Sequence, residues 1–234
     1  MQTQTYQIQQ QTIELALDER VFAPSAHGLY YANQIPIAAG ERVIDIGCGS
    51  GIFAVYAARQ GASVLATDIS ADAAELTAAN ALRNGVQVDT ATGGFFAGSE
   101  ATYDVILANL PQEIVMPDSA VLLGERISEI DGGLRGNDLL LQLLEQAPAH
   151  MHETSRMYLP LHTLSDYHHS LRVAMQDFNV RLVAIGDLPA KSFVTDHLGF
   201  YLELAEAGAI RLFKHQGQWY TNIYVIELTL KSTE

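Results

Sequence analysis

The stretch RVIDIGCGSGIF, residues 42–53, decides the fold of this chain. The apolar run Arg42–Ile46 predicts a short buried strand, and it ends at three glycines spaced two residues apart. Glycines there permit a tight turn and let the backbone approach a ligand closely. A helix predicted over Gly51–Gly61 follows, and it would aim its N-terminal N–H groups at that ligand. The alternative is a purely structural strand-to-helix turn.

The alternation of strands and helices continues on the carboxyl side of this stretch. A helix is predicted over Ala71–Asn84, with Ser70 as its N-cap and Gly85 at its end. Strands are predicted at 64–67, 86–91, 103–108, 155–161, 180–185, 209–215 and 219–230, and further helices at 137–150 and 165–177. Residues 110–137 look irregular. This order predicts an α/β fold with a parallel sheet of right-handed βαβ units, closed by an antiparallel hairpin whose turn lies at HQGQ.

Composition limits the classes of function. The chain has 234 residues, of which 48% are hydrophobic, so it can build a core. Its 13 basic residues against 27 acidic ones give a formal charge of −14, which opposes binding to nucleic acid or to an anionic membrane. One cysteine excludes an intramolecular disulfide framework, and the polar, Gln-rich start lacks the pattern of a signal peptide. We expect a soluble, cytoplasmic protein without a membrane span.

The first forty residues differ in pattern from the rest. Apolar and small residues at helical spacing predict a short amphipathic helix: Ile8, Thr12, Leu15 and Ala16. Four turn-forming residues then predict a loop, a short helix and a turn: Pro24, Gly28, Pro36 and Gly40. The predicted domains are therefore an N-terminal helical or lid segment, 1–40, and a main domain, 41–234. A plain extension is the alternative, and His27 would reach the site only if this segment folds over it.

Two acidic residues flank the glycines and indicate the ligand. The spacing is G-x-G-x-G, whereas a dinucleotide-binding turn has G-x-G-x-x-G. Asp45 would repel a pyrophosphate but attract an amine, and Asp68, at the end of the second strand, is placed to accept hydrogen bonds from two ribose hydroxyls. An ammonium, a sulfonium and a ribose without phosphate are the features of S-adenosylmethionine, which we therefore predict as the cofactor.

Residues 42–112 resemble a class I S-adenosylmethionine-dependent methyltransferase. The resemblance implies a Rossmann-like, doubly wound sheet of seven strands, mostly parallel with an antiparallel last strand. Gly94 stands where many members have an Asp that holds the adenine, so Phe95 is either an adenine contact or a core aromatic. The candidate cofactor-binding residues are Asp45, Gly47, Cys48, Gly49, Gly51, Asp68, Ile69, Gly94, Phe95 and Asn109.

The segment NLPQ follows the fourth strand and resembles the Asn-Pro-Pro-Tyr motif of amine- and amide-directed N-methyltransferases. The side-chain carbonyl of Asn109 can accept a hydrogen bond from a target N–H, and Pro111 stiffens the loop. Leu110 and Gln112 depart from the motif, and the aromatic residue expected at 112 is missing. The candidate catalytic residues are Asn109, Pro111 and Gln112. The alternative is that this segment is only a turn that ends the strand.

Two outer segments, DERVFAPSAHGL and residues 131–148, are similar to release-factor glutamine methyltransferases. We expect no counterpart of that family's amino-terminal domain, so the resemblance does not imply its substrate. Five aromatic residues of the C-terminal third either line a pocket or pack in the core: Phe193, Phe200, Tyr201, Trp219 and Tyr220. The histidines lack a metal-binding spacing, so no metal is expected, and Cys48 looks like a small packing residue.

The function expected from these features is methyl transfer to a nitrogen of a small-molecule or peptide-like acceptor. An O-methyltransferase and a catalytically degenerate, methyltransferase-like subunit that binds a protein partner are the alternatives. The sequence leaves the oligomeric state open.

Overall fold

The computed structural model describes residues 2–116 and 130–232. Its strands are β1 (Gln2–Ile8), β2 (Gln11–Leu17), β3 (Arg42–Ile46), β4 (Ser63–Asp68), β5 (Asp89–Thr92), β6 (Tyr103–Ala108), β7 (Met151–His162), β8 (Phe178–Pro189), β9 (Phe213–His215) and β10 (Gln218–Leu230). Its helices are α1 (Ala26–Ala32), α2 (Ile52–Arg59), α3 (Ala71–Arg83), α4 (Asp138–Gln146), α5 (Tyr167–Asp177), α6 (Ser192–Asp196) and α7 (Leu198–Glu206), with a 3₁₀ turn at Ala147–His150. The predicted irregular stretch 110–137 is seen only in part, because residues 117–129 lie outside the described ranges.

The chain divides into two compact units. The first comprises residues 1–109, 147–159 and 227–234, and the second comprises 110–146 and 160–226. In the first unit the strands run in the order β5-β4-β3-β6-β7, and each neighbouring pair is parallel. The central strand β3 is buried from Val43 onward, and helix α2 connects it to its parallel neighbour β4. This is the predicted core of βαβ units.

Strands β7 and β10 each contribute residues to both units. Within the described ranges the large sheet has eight strands in the order β5-β4-β3-β6-β7-β10-β8, with β9 paired to β10. The antiparallel β9–β10 hairpin is confirmed, and Gln216 and Gly217 both have positive φ, as a tight hairpin turn requires. The α/β class and the parallel-dominated sheet are thus confirmed. The family resemblance implied seven strands, whereas the described sheet has eight, counting the short strand β9 that the sequence pattern predicted at 209–215.

The amphipathic helix predicted near the N-terminus was wrong. Residues 2–17 form an antiparallel hairpin, β1–β2, that is separate from the large sheet. The apolar residues recur with period two on each side of a turn at Gln9, whose φ is +52°. Tyr6 and Ile8 on β1 and Ile13 and Leu15 on β2 are buried. Alternation across a turn had mimicked the helical spacing.

Asn80 of α3 and Asn84, which caps the end of α3, hold this hairpin in place. The Asn80 side chain accepts a hydrogen bond from the Ala16 N–H and donates to the Ala16 carbonyl, at 2.7 and 3.0 Å. The Asn84 side chain makes the same two bonds with the Glu14 backbone. A small apolar cluster lies beneath them: Ala16, Val21, Ala73 and Leu76. The hairpin is therefore bound to α3 along its backbone, and the domain boundary at residue 40 stays a prediction.

The second unit has its own core around two short helices, α6 and α7, that the sequence pattern did not predict. Phe193 and Tyr201 lie in this core with Ile114, Leu164, Val194 and Ile210. The core interpretation of Phe193 and Tyr201 is therefore confirmed, and Phe200 packs against the same cluster. Among the described helices, none has the length and apolar character that a membrane span requires.

Candidate functional site

Asp45 lies at the carboxyl end of β3 with no exposed surface. Its Oδ2 accepts a hydrogen bond of 3.0 Å from the Ala54 N–H, which caps the first turn of α2. Its Oδ1 has no hydrogen-bond partner among the described residues. Burial raises the pKa of Asp45 to about 7, and the charge of Asp68 adds to this. A buried carboxylate with one orphaned oxygen is expensive, which indicates a ligand-binding role.

The glycine turn is built on left-handed backbone. Gly47, Gly49 and Gly51 have φ values of +72°, +52° and +85°, which side chains with a Cβ rarely adopt. The N–H groups of Gly47 and Cys48 both donate to the Thr67 carbonyl at the end of β4. These bonds fix the turn against the neighbouring strand, at the carboxyl edge of the sheet where ligands bind in such folds.

Gly51 also needs the space that its missing side chain leaves. A Cβ there would lie 2.9 Å from Thr77 Oγ1 and 3.1 Å from Thr77 Cα. Thr77 in turn donates to the Gly49 carbonyl at 3.1 Å and to Cys48 Sγ at 3.3 Å. The Cys48 thiol is buried, and burial raises its pKa well above the usual range, so it stays protonated. Thr77 is a residue that the sequence analysis missed, because α3 lies far from the glycines in the chain.

We expect Gly51→Ala to lower the free energy of unfolding by about 2–4 kcal/mol, since it combines a left-handed φ with the clash against Thr77. Gly85→Ala is the matched control: Gly85 has φ +70° but nothing within 4 Å of a Cβ. That control should cost only the backbone strain, about 1–2 kcal/mol. Urea unfolding of the two variants checks this. Equal losses would show that the close approach to Thr77 does not matter.

Asp68 joins the glycine turn to the start of α3. Its Oδ2 accepts the Gly49 N–H and its Oδ1 accepts the Ser70 N–H, both at 2.9 Å. Each oxygen keeps further acceptor capacity, so ribose hydroxyls can bind without breaking these bonds. The next residue, Ile69, exposes 85% of its surface, although it is large and apolar. An exposed apolar side chain beside this carboxylate suits contact with a flat base.

The segment after β5 contains Gly94 and Phe95. A Cβ at Gly94 would have nothing within 4 Å, so the space beside it is open. The Phe95 carbonyl accepts a hydrogen bond from Thr67 Oγ1, while its ring is only partly buried. The core aromatic is instead Phe96, which stacks on His150 with ring centroids 3.8 Å apart. The candidate role of Phe95 beside a base stays a prediction.

Asn109 follows β6 and is the last residue of the first unit before Leu110. A Cβ on Gly28 of α1 would lie 3.2 Å from Asn109 Nδ2 and 3.7 Å from the Phe53 ring. Helix α1 therefore packs closely against the end of β6 at Gly28. His27, the neighbouring residue on α1, is buried, with an exposed fraction of 3%.

Pro111 and Gln112 belong to the second unit. Gln112 is buried, and its Oε1 accepts the His162 N–H at 3.3 Å, whereas its Nε2 has no partner among the described residues. The segment Asp131–Gly136 packs on its backbone: a Cβ at Gly132 would lie 2.8 Å from Gln112 Cα. A Cβ at Gly136 would lie 2.8 Å from the Gln112 carbonyl oxygen. The second glycine-rich segment of the sequence thus positions the NLPQ loop.

These observations test whether S-adenosylmethionine suits the first unit. The negative charge of the buried Asp45 carboxyl, the left-handed glycine turn, the acceptor atoms of Asp68 and the exposed Ile69 all fit its charged amino-acid moiety and its nucleoside. No group of His, Cys, Asp and Glu in the described ranges has an arrangement that could hold a metal ion.

Comparison with known proteins also finds similarity to methyltransferases. Residues 28–120 match the family model of ribosomal protein L11 methyltransferase (PrmA). A ribosomal protein L11 methyltransferase from Cupriavidus pinatubonensis is 48% identical over 75 residues, covering 32% of this chain and 25% of that protein. A release factor glutamine methyltransferase from Gloeobacter violaceus is 38% identical over 122 residues, covering 48% and 43%. The chain spans less than half the length of these relatives.

Solved structures share the fold. The 16S rRNA N2 G1207 methyltransferase of T. thermophilus has a TM-score of 0.61 at 13% identity, covering 98% of this chain and 50% of that one. A methyltransferase from Pyrococcus furiosus has a TM-score of 0.54 at 18% identity, covering 91% and 88%. By its fold, its glycine turn and these similarities, the chain resembles the class I S-adenosylmethionine-dependent methyltransferases.

Proposed function

We propose that the chain transfers the methyl group of S-adenosylmethionine to a nitrogen atom of a small-molecule or peptide-like acceptor. The observation that carries this proposal is the arrangement of Asp45, the glycine turn and Asp68 around the carboxyl ends of β3 and β4. Carboxylates on both sides of an open backbone turn suit a cationic nucleoside. They do not suit a phosphate.

Each cofactor-binding group has a distinct part in the proposal. Asp68 accepts hydrogen bonds from the ribose hydroxyls with the lone pairs that Gly49 and Ser70 leave free. Because Asp45 has no exposed surface, its contribution to a bound ammonium is its negative charge, acting across the glycine turn. Ile69 and Phe95 flank the base, and the open space beside Gly94 admits it.

The proposed transfer is a direct displacement. The bound cofactor supplies a methyl group activated by a sulfonium. The lone pair of the acceptor nitrogen forms a bond to the methyl carbon as the carbon–sulfur bond breaks, and the electron pair of the broken bond stays on sulfur and neutralises it. The nitrogen's proton goes to solvent. The Asn109 side-chain carbonyl accepts the acceptor's N–H and so turns the lone pair toward the methyl group, which lowers the barrier by orientation.

The relatives support a peptide-like acceptor, since their names give a ribosomal protein and a release factor as the acceptors. The exclusion of nucleic acid and the cytoplasmic location stay predictions from the sequence, as does the oligomeric state. The experiment that tests the function is calorimetry with S-adenosylhomocysteine, followed by methyl-incorporation mass spectrometry on a panel of peptide and small-molecule amines and amides. A hydroxyl compound in the panel separates N- from O-methylation.

We expect Asn109→Ala to reduce the methyl-transfer rate about 100-fold, because one positioned hydrogen bond is lost at the reacting nitrogen. S-adenosylhomocysteine should still bind within about threefold of the wild type, by calorimetry. Asn109→Asp, which keeps an acceptor oxygen, should retain more activity than Asn109→Ala. A normal transfer rate in Asn109→Ala would remove Asn109 from the mechanism.

One observation favours a second candidate function, a degenerate subunit that binds a protein partner. The two residues that depart from the methyltransferase motif, Leu110 and Gln112, are both buried. Neither side chain is therefore exposed to pack against a planar acceptor, as the motif's aromatic residue would be. Absence of S-adenosylhomocysteine binding together with a stable copurifying protein would favour this candidate.

A further inference from the structure

Strand β8 is the terminal strand of the large sheet within the described ranges. It pairs with β10 on one side, and no described strand pairs with its other side. The free edge of a long strand presents a row of N–H and C=O groups, which is a template for another strand. Proteins usually protect such an edge with lysines, with an internal proline or by keeping the strand short. β8 has 12 residues, lacks lysine, and carries its proline at the last position.

The contacts of β8 with β10 show which backbone groups lie on the free edge. Just past the end of β8, the Ala190 N–H donates to the Trp219 carbonyl at 2.9 Å. Asp187 Oδ1 accepts a hydrogen bond from Asn222 Nδ2 at 2.5 Å, so the two strands run antiparallel. Because the N–H and C=O groups of alternate residues point to opposite sides of a strand, those of the odd-numbered residues point away from β10. Pro189, which has no N–H, belongs to this outward set.

The backbone of Asn222 leads to the same assignment. Its N–H and its carbonyl both bond Thr163, at 2.9 and 3.1 Å. Thr163 directly follows β7, the neighbour of β10 on the side away from β8. In an antiparallel ladder, two residues that stand opposite each other both point their backbone groups inward or both point them outward. The N–H and C=O of Asp187 therefore lie on the free edge.

The side chains of the odd-numbered residues share one face of β8. Arg181, Ile185 and Asp187 are exposed on this face, and Val183 is half-buried. Ile185 exposes 54% of its surface, although it is large and apolar. The order along the face is thus a cation, two β-branched apolar residues and an anion.

This order is complementary to its own reverse. When a second copy of β8 runs antiparallel with Ala184 opposite Ala184, Arg181 faces Asp187 of the copy and Val183 faces Ile185 of the copy. All of these residues point their backbone groups outward, so each facing pair exchanges two backbone hydrogen bonds. Opposite charges and β-branched pairs at facing positions both stabilise a sheet. No other register of two antiparallel copies brings Arg181 opposite Asp187.

Both charged side chains can bond the copy and keep the contacts within their own chain. Asp187 has acceptor capacity beyond its bond from Asn222, and a guanidinium has several N–H donors. Arg181 and Asp187 of one chain lie roughly 20 Å apart along the extended strand, so they do not pair with each other. Their complementarity is therefore directed to a second chain.

We propose that two copies of this chain form a dimer through β8, with the strands antiparallel about a two-fold axis at Ala184. Such an interface is isologous, because the same strand of each copy supplies both halves of every pair. It closes the free edge and removes Ile185 from water. Since β8 lies in the second unit, the inference does not depend on the cofactor site of the first unit or on methyl transfer.

Charge reversal tests the facing pairs. Sedimentation of the wild-type chain at increasing concentration should show a monomer–dimer equilibrium. Arg181→Glu and Asp187→Arg should each weaken the dimer about tenfold or more, because like charges then face each other in both pairs. An equimolar mixture of the two variants should dimerise within about threefold of the wild type, since every facing pair is again of opposite charge. A mixture that stays monomeric, with both variants folded by circular dichroism, would overturn the inference.

Cross-linking tests the register without a change of charge. At the two-fold axis the two copies of Ala184 form a pair without backbone hydrogen bonds, with Cα atoms about 4.5 Å apart, which a disulfide can bridge. Ala184→Cys should therefore form a cross-linked dimer under mild oxidation. Leu182→Cys should not, because Leu182 faces Gly186 of the copy. The native Cys48 is buried and does not compete. Cross-linking of Leu182→Cys in place of Ala184→Cys contradicts the proposed register.

Ile185→Lys covers the case in which Asp187→Arg does not fold. Its exposed position keeps the fold, and a lysine on the edge should weaken the dimer about tenfold or more. The matched control is Leu134→Lys, at a residue that is 91% exposed outside β8, which should dimerise like the wild type. Because the chain carries a net charge of −14, both substitutions reduce the general repulsion between copies, so a loss confined to Ile185→Lys locates the interface.

Three results would refute the dimer. One is a wild-type chain that stays monomeric up to about 500 µM. Another is a dimer that Ile185→Lys and Leu134→Lys affect equally. The third is a monomer whose β8 edge instead binds an added extended peptide, because another partner would then occupy the edge.

Discussion

Asp68→Ala is expected to weaken binding of S-adenosylhomocysteine at least 100-fold. The wild-type carboxylate would bind two ribose hydroxyls, and hydrogen bonds to a charged group are worth about 1.5–3 kcal/mol each. The same substitution removes the acceptor of the Gly49 and Ser70 N–H groups, so the glycine turn loses its anchor to α3. Calorimetry gives the affinity, and urea unfolding gives the cost in stability, which should be about 1–3 kcal/mol.

Asp72→Asn is the matched control for Asp68→Ala. Asp72 lies in the first turn of α3, the helix that follows Asp68, and its side chain is 41% exposed and paired with Arg20. Its loss should leave the affinity for S-adenosylhomocysteine unchanged within about twofold, since exposed ion pairs contribute little. If Asp68→Ala binds as tightly as the wild type, Asp68 does not hold the ribose.

Asp45→Asn is expected both to raise the free energy of unfolding at pH 8 and to weaken cofactor binding. The pKa of Asp45 is about 7 in the folded chain, against an ordinary value of 3.8. Between these two pH values the carboxyl is ionised in the unfolded chain but protonated in the folded one. The free energy of unfolding of the wild type therefore falls as the pH rises from about 4 to 7. The substituted asparagine cannot ionise, yet its amide oxygen can still accept the Ala54 N–H, as Oδ2 of the aspartate does in the wild type.

The stability of Asp45→Asn relative to the wild type should therefore rise by about 2–3 kcal/mol between pH 5 and pH 8, from 1.36 kcal/mol per pKa unit. Urea unfolding at both values measures this, with the exposed Asp89→Asn as a control that should show no such change. Affinity for S-adenosylhomocysteine should fall about tenfold or more at pH 8, because the charge facing the ammonium is lost. A difference independent of pH would show that Asp45 does not titrate in this range.

The core of the fold could be predicted from the sequence because its signals are local. Strand β6 was predicted at its observed bounds, and Ser70 caps α3 as expected, with its Oγ accepting the Ala73 N–H at 3.3 Å. Apolar runs, caps and glycines act within a few residues, so a window of the chain contains the whole signal. The N-terminal hairpin was mistaken for a helix because period-two alternation interrupted by a turn gives apolar residues at helical spacing as well.

The candidate cofactor residues were predictable for a similar reason. A strand, a glycine turn and an acidic residue at the end of the next strand are fixed by the order of βαβ units. Their partners were not predictable: Thr77 and Asn80 on α3 look in the sequence like ordinary positions of an Ala-rich helix. The Asn80 side chain nevertheless bonds both Ala16, 64 residues away, and Ser50.

By itself the sequence determined an α/β sheet with a G-x-G-x-G turn between two acids, because those features follow from local periodicity and backbone freedom. Only the tertiary structure decided that Glu113 meets Lys191, 78 residues further along the chain, and that Gly132 and Gly136 lie against Gln112. The physical reason is that a buried charge or a close backbone approach depends on which distant segments meet. A single sequence has no local pattern that records such a meeting.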